Sequence, residues 1–486
     1  MNQKEVEMLE GRKRWWALIV LCLGVLMIVL DTTIVNVALP SIRTDLHFTE
    51  TSLVWVVNAY MLTFGGFLLL GGRLGDIYGH RKMFLLGITL FTLASLACGM
   101  STTKTMLIAA RAIQGLGGAV VSAVSLSLIM NMFTEGGERA KAMGVYGFVC
   151  AAGGSVGLLL GGVLTSALNW HWIFLVNLPI GAGVYALCVG LLPPSKVEGT
   201  RQKVDIAGAT TVTASLMLAV YAVVNGNEAG WMSAQTLGLL AGAVVLLIAF
   251  IVTEARISTP LMPLTLFKLR NLTAANIIGV LWAAGMFAWF FITTLYLQAV
   301  LGFTPFQIGL VFLPANLIMA AFSLGLSAKI VMRFGIRRPL AVGLFLGAAG
   351  LAVMARAPLD ANVMVDVVPS MVLLGIAAGI AFNPLLLAAM NDVKPTDSGL
   401  ASGVVNTAFM MGGSLGLAVL ASLAAGRTQT LIASGVPGVE ALNGGYHVAF
   451  LVGAIFAAVS AVIGATLIRV NMNAQQGGAA AEIAVH

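Results

Sequence analysis

About fourteen stretches of this chain stay apolar for long enough to cross roughly 30 Å of hydrocarbon as a helix of about 20 residues. They span 15–39, 52–71, 83–100, 106–132, 140–165, 172–192, 206–225, 235–253, 272–298, 306–328, 339–356, 366–390, 399–425 and 447–469. No other feature constrains the fold as strongly. Backbone in lipid must satisfy its own N–H and C=O groups, and single runs of this length do so only as α-helices. Hydrophobic residues make up 59% of the chain and charged residues 9%, with a mean hydropathy of +0.98, a balance that no water-soluble surface of 486 residues would tolerate. The expected class is an all-α polytopic membrane protein.

An even number of crossings puts both termini on one side. Lys and Arg choose that side: the loops and tails on it hold 21 of the 26, while the opposite loops hold only Arg43, Lys104, Arg356 and Arg427. By the positive-inside rule both termini are predicted to be cytoplasmic. The net charge of +7 therefore reads as topology and gives no support to a nucleic-acid partner. Cys22, Cys98, Cys150 and Cys188 all fall inside apolar runs, so they form neither a disulfide framework nor a metal-ligand spacing. The run from Trp15, preceded by Arg12-Lys13-Arg14, is long enough to span and reads as a membrane helix, not as a cleaved leader.

Between the second and third runs lies Gly72-Arg-Leu-Gly75-Asp76-Ile-Tyr-Gly79-His-Arg81-Lys82. Its glycines permit a tight turn, and its charges hold it at a membrane face. The spacing resembles the loop between helices 2 and 3 of the major facilitator superfamily. An internal repeat agrees with that resemblance: Gly79, Arg81, Lys82 and Gly87 correspond to Gly335, Arg337, Arg338 and Gly343 at an offset of 256, although Met332 stands where Asp76 would recur. A second echo, at an offset of 259, relates Gly144…Gly153-Gly154-Ser155-Val156-Gly157 to Gly403…Gly412-Gly413-Ser414-Leu415-Gly416. Two six-helix bundles, 1–192 and 265–470, follow, with 193–264 as a linker plus an inserted two-helix hairpin and 471–486 as a disordered tail. The major facilitator fold is built of two such bundles, so fourteen transmembrane helices are expected.

Asp31 is the only carboxylate deep inside an apolar run, and Arg111 falls at a similar depth in the antiparallel fourth run. An isolated charge there costs at least ~2.5–3.5 kcal/mol, so both must face the protein interior or a wet cavity. A static ion pair and a proton-switching pair are both open on this evidence. The run Leu30-Asp31-Thr-Thr-Ile-Val-Asn36-Val-Ala-Leu-Pro40 resembles the helix 1 signature of the fourteen-helix drug:proton antiporters, and Arg111-Ala-Ile-Gln114-Gly115-Leu-Gly117-Gly118 resembles the superfamily's helix 4 pattern. The resemblance implies proton coupling through Asp31, Arg111 and Gln114, with gating by Gly72, Asp76, Gly79, Arg81 and Lys82.

The fifth run carries Gly144, Gly153, Gly157, Gly161 and Gly162, the glycine spacing of the antiporter motif, with Leu158 where that motif has proline. A straighter helix is expected at Leu158. Trp170-His171-Trp172…Asn177-Leu-Pro179 and Ala401-Ser402-Gly403-Val-Val-Asn406…Phe409-Met410 also resemble the same branch, although Phe409 and Met410 replace an Arg-Gln pair. Candidate cavity-lining residues are Tyr60, Trp282, Phe287, Asn316, Phe382, Asn383 and Asn406, chosen because aromatic and amide groups suit flat lipophilic molecules and cations.

The resemblance implies a proton-coupled multidrug antiporter that exports lipophilic or cationic drugs by alternating access. It is expected to be a multi-pass monomer of the bacterial cytoplasmic membrane, in contact with lipid, using the proton as coupling ion and no cofactor. A dedicated exporter of one metabolite, siderophore or lipid shares the same scaffold. No His cluster, Ser/His/Asp arrangement, nucleotide loop or metal spacing supports an enzyme.

Overall fold

A computed structural model describes residues 3–133, 136–192, 205–257, 260, 262–393 and 398–469. The sequence-predicted linker 193–204 and tail 471–486 lie outside the described residues. The described chain forms sixteen α-helices: α1 Gln3–Asp45, α2 Glu50–Tyr78, α3 His80–Gly99, α4 Lys104–Met132, α5 Gly136–Ala167, α6 Trp172–Leu175, α7 Asn177–Leu191, α8 Ile206–Ala229, α9 Ala234–Arg256, α10 Arg270–Ala299, α11 Pro305–Ala321, α12 Ser327–Phe334, α13 Arg337–Met354, α14 Val368–Met390, α15 Ser398–Ala433 and α16 Gly438–Leu467. No strand occurs among the described residues. Twelve spans among them are long and apolar enough to cross a membrane, with α6 and α7 counted as one. Two further apolar helices, Val156–Ala167 within α5 and Pro305–Ala321, fall short of that length, so the expected fourteen is not reached on length alone.

Local chemistry places the boundaries. Capping boxes at Thr49/Ser52 and Thr304/Gln307 start α2 and α11, and Thr103, Asp205 and Ser233 cap α4, α8 and α9. Gly79 separates α2 from α3 at φ 93°, and its repeat partner Gly335 separates α12 from α13 at φ 76°, conformations that a side chain would strain. One expectation needs correction: 306–328 is not a single straight helix. A π-helical turn at Phe322–Leu326, with Gly325 at φ 120°, breaks it into α11 and α12. Helix α5 runs unbroken through Leu158.

Glycines let the repeat be packed twice. A methyl group on Gly153 would approach Leu26 and Val29 of α1, and one on Gly161 would lie 2.7 Å from the Ile34 carbonyl oxygen. In the second half the equivalent α15 glycines, 412, 413 and 416, press on Val280, Phe287 and Ala284 of α10. Gly162 instead meets Pro305 and Phe306 of α11, across the seam between the halves. A second seam joins α2 to α15, where the Asn58 amide donates to the Ser414 carbonyl at 2.9 Å and Gly65 abuts Met410.

The apolar core is asymmetric along the membrane normal. At the face opposite the termini, the ends of α1 and α2 (Ile34–Phe48, Leu53–Val56) belong to one apolar cluster with the second half. Toward the termini the first half keeps its own cluster, from Ala17 and Leu21 to Ile129 and Phe133. Among the described residues, only Phe287 and Met410 of the second half pack against that cluster. The halves thus share an apolar cluster at the face opposite the termini, and toward the termini α2 still meets α15 where Leu69 lies against Gly403. Helix α8 lies against both α2 and α15, so the inserted hairpin is not peripheral to the seam.

Candidate functional site: a sealed ion pair and an exposed aromatic surface

Four helices converge on Asp31. Its Oδ2 accepts from Arg111 Nη1 at 2.5 Å, and its Oδ1 accepts from Gln114 Nε2 at 2.7 Å and Asn177 Nδ2 at 3.0 Å. Arg111 also donates to the Val56 carbonyl at 2.9 Å and to Gln114 Oε1 at 2.6 Å. Its guanidinium carbon sits 4.4 Å from the Tyr60 ring centroid and 5.6 Å from that of Phe174. Ser95 Oγ accepts from Gln114 Nε2 at 2.8 Å, and the Cys98 thiol donates toward Gln114 Oε1 at 3.6 Å. All of these side chains are buried, Asp31 and Gln114 at 0% exposure and Arg111 at 1%.

Geometry explains why these residue types sit together. Asp31 lies on α1, Arg111 and Gln114 one turn apart on α4, Ser95 and Cys98 one turn apart on α3, and Asn177 at the start of α7. A charge pair in low dielectric stands only if its remaining lone pairs and protons are satisfied. Here Asn177, Gln114, the Val56 carbonyl and two aromatic faces complete that task. Asp31, Arg111 and Gln114 are thus brought together as predicted. Asn177, Ser95, Cys98 and the Val56 carbonyl were not singled out as partners. Asn177 was visible only as part of the Trp170–Pro179 motif of the sixth run, because a polar side chain at a helix start usually faces solvent.

Tyr60 and Trp282 need correction as cavity-lining residues. Tyr60 is 1% exposed and lies against Arg111, so it belongs to the ion-pair cluster. Trp282 is also 1% exposed, and its ring fills the space beside Gly347 of α13. Asn316 is buried as well. The other four do reach an open surface. Phe287 packs edge-to-face on Phe409 at 5.6 Å, and Phe409 packs the same way on Phe382 at 6.0 Å. Phe382, Asn383 and Asn406 are exposed.

At the loop between α2 and α3, Asp76 is exposed and its Oδ1 lies 3.1 Å from His80 Nε2, without hydrogen-bond alignment. Arg81 donates to the Val189 carbonyl near the end of α7 at 2.7 Å. Its repeat counterpart Arg337 donates to the Ala465 carbonyl near the end of α16 at 2.5 Å. Both basic residues thus bind the carbonyl-rich end of a helix, where positive charge is favoured. Gly75 and Gly79 are buried, Gly72 is half-buried and Lys82 is exposed. At the opposite face, Glu50 Oε1 accepts from Arg43 at 2.9 Å and from Tyr446 of the second half at 3.3 Å. Helix α5 places Gly153, Gly157 and Gly161 on α1, whereas the surroundings of Gly144 lie outside the described residues.

Residues 21–417 match the Major Facilitator Superfamily description. The chain is 37% identical over 451 residues to puromycin resistance protein pur8 of Streptomyces alboniger, covering 91% of this chain and 89% of that one. It is 39% identical over 450 residues to cephamycin export protein CmcT of Amycolatopsis lactamdurans, covering 92% and 91%. Its fold is similar to that of the POT family transporter PepTSo, with a TM-score of 0.67 at 14% identity over 93% of this chain and 97% of that one.

Proposed function

The chain belongs to the Major Facilitator Superfamily, and from that premise we propose that it exports antibiotic-like drugs across a bacterial cytoplasmic membrane in exchange for protons, with both termini in the cytoplasm. It is a multi-pass membrane transporter and not an enzyme. Relatives that cover nearly its whole length carry names of antibiotic export and resistance, which supports the drug class. The fourteen-helix topology and the two-bundle division belong to the same reading, supported by the doubled glycine packing and the doubled Arg81/Arg337 contact.

One observation carries the proton coupling: a carboxylate at membrane depth, 0% exposed, held in an ion pair between α1 and α4. Arg111 of α4 and Asp31 of α1 are joined directly, so a motion of one helix against the other breaks the pair and frees the carboxylate. A rocking motion that shifts α1 against α4 then binds or frees a proton, and the same motion moves access from one face to the other. With the termini in the cytoplasm, substrate would load from the cytoplasm or inner leaflet.

Purified protein in proteoliposomes, loaded with a pH-sensitive dye, tests the exchange. Addition of a transported drug should move protons in the opposite direction, and collapse of the pH gradient should stop drug accumulation. Accumulation that continues with the gradient collapsed would rule out proton exchange.

A further inference from the structure

The sealed carboxylate and the exposed aromatic surface do not meet. Both oxygens of Asp31 are occupied, and Asp31, Arg111, Gln114 and Asn177 are each at most 1% exposed. The exposed surface lies in the other half. Asn406, Phe409 and Gly413 follow one stripe of α15, and Gly413 lies against Phe287 of α10. Among the described residues, Phe287 and Met410 are the two of this half that pack against the separate core of the first half, and Leu69 of α2 meets Gly403, one turn before Asn406 on α15, so the stripe runs along the border with the first half. On α14, Ala381 is covered by Gly343 of α13, which leaves Phe382, 48% exposed, and Asn383 turned away from that packed face. Phe287 holds the position that Asp31 holds in the first half, at the repeat's offset of 256. Among the described residues, no other charged side chain shares the membrane depth of Asp31 and Arg111.

We propose that substrate is recognised on this uncharged wall, by Phe382 and Phe409 with the amides of Asn383 and Asn406, and that it never touches Asp31. The substrate class is neutral, planar, polycyclic compounds bearing carbonyl or hydroxyl groups. Phenylalanine edges and faces take a flat ring system, and an asparagine amide offers both a donor and an acceptor to its oxygens. A quaternary cation would leave water for a wall without a carboxylate and retain only ring faces. Coupling is then indirect, through the motion of α1 against α4, with no competition between drug and proton for one carboxylate. This inference rests on the exporter reading above.

The test uses the full-length protein in nanodiscs and two probes, an uncharged dihydroxyanthraquinone and tetraphenylphosphonium. The anthraquinone should bind more tightly. Phe382→Leu and Phe409→Leu should each weaken it about threefold to tenfold, the range that lost aromatic pairing allows. Asp31→Asn should leave anthraquinone affinity within about twofold, since substrate and carboxylate share no contact. Asn406→Asp supplies a carboxylate to the wall and should tighten tetraphenylphosphonium about tenfold, a gain that misfolding does not produce. Tighter binding of the cation to the unaltered protein would overturn the proposal, as would loss of anthraquinone binding in Asp31→Asn with both leucine variants unchanged. Proteoliposomes that exchange protons for the cation alone would sink this inference and leave the exporter reading intact. Movement of neither probe and no proton would end both.

Discussion

The two halves of this protein share a scaffold and differ in chemistry. Their glycine faces pack α5 on α1 and α15 on α10 in the same way, and their basic loop residues Arg81 and Arg337 bond equivalent helix ends. Yet the position filled by Asp31 in the first half is filled by Phe287 in the second, and that of Arg111 by Val367. One half has accepted the cost of a buried charge and surrounds it with donors; the other has kept an apolar, aromatic surface at the same depth. Duplication preserved what packing requires, namely small residues at close helix contacts. It did not preserve charge, because each further buried charge destabilises the fold.

The sharpest way to break this comparison is to remove the charge from the half that carries it. Asp31→Asn should abolish substrate-driven proton release entirely, measured with an entrapped pH dye, while Phe287→Leu in the second half leaves proton coupling in place. If Asp31→Asn still concentrates drug under an imposed pH difference, the coupling role belongs elsewhere. The shared packing is tested next. Gly161→Leu and Gly416→Leu would drive side-chain atoms into the Ile34 carbonyl and into Ala284, and each should destabilise by about 1–3 kcal/mol or more. Gly183→Leu, with nothing within 4 Å of its added carbon, should not. Thermal unfolding followed by tryptophan fluorescence separates the three, and equal stability of all would show that the glycine contacts within each half are looser than described.

Smaller effects are expected at the loop and at the closed face. Asp76 has no counterpart in the second half, where Met332 stands. Asp76→Ala should slow turnover by no more than about fivefold, as suits an exposed carboxylate, with little change in drug affinity. A large loss of affinity at unchanged velocity would contradict a gating role. Tyr446→Phe removes the hydrogen bond to Glu50 that ties the halves together opposite the termini. A shift of about 0.5–1.5 kcal/mol toward opening at that face is expected, read as a longer spin-label distance between the starts of α2 and α16. No shift would mean that the apolar core alone holds that face shut.

The inserted hairpin sharpens the comparison from outside the repeat. Asn227 of α8 donates to the Ser422 carbonyl at 2.7 Å and to its hydroxyl at 3.0 Å, and that hydroxyl donates back to the Val223 carbonyl at 3.0 Å. Against α2 the same helix offers mainly close van der Waals contact, Thr213 on Gly66 and Tyr221 near Trp55. Its polar anchoring is to the second half, so it has more to lose by leaving α15 than by sliding on α2.

Hydropathy, the glycine spacings and the Lys/Arg distribution determined the class, the helix order, the repeat and the candidacy of Asp31 and Arg111, because lipid penalises charge and unpaired backbone wherever the chain folds. Those rules act on each segment alone and are therefore legible in order along the sequence. What surrounds Asp31 was decided only in three dimensions: Asn177 and Asp31 are 146 positions apart, and nothing local to either indicates the other. The same holds for Tyr60 and Trp282, whose aromatic character suited a cavity, but whose burial against Arg111 and Gly347 depends on which helix became the neighbour. The break after Ala321 was hidden in another way, since the segment keeps the apolar composition of a straight helix while Gly325 takes a φ of 120°, a backbone choice that hydropathy does not record. Sequence fixes what a segment can enter; tertiary packing decides what it faces once there, because contact between distant helices depends on their mutual rotation, which no single segment encodes.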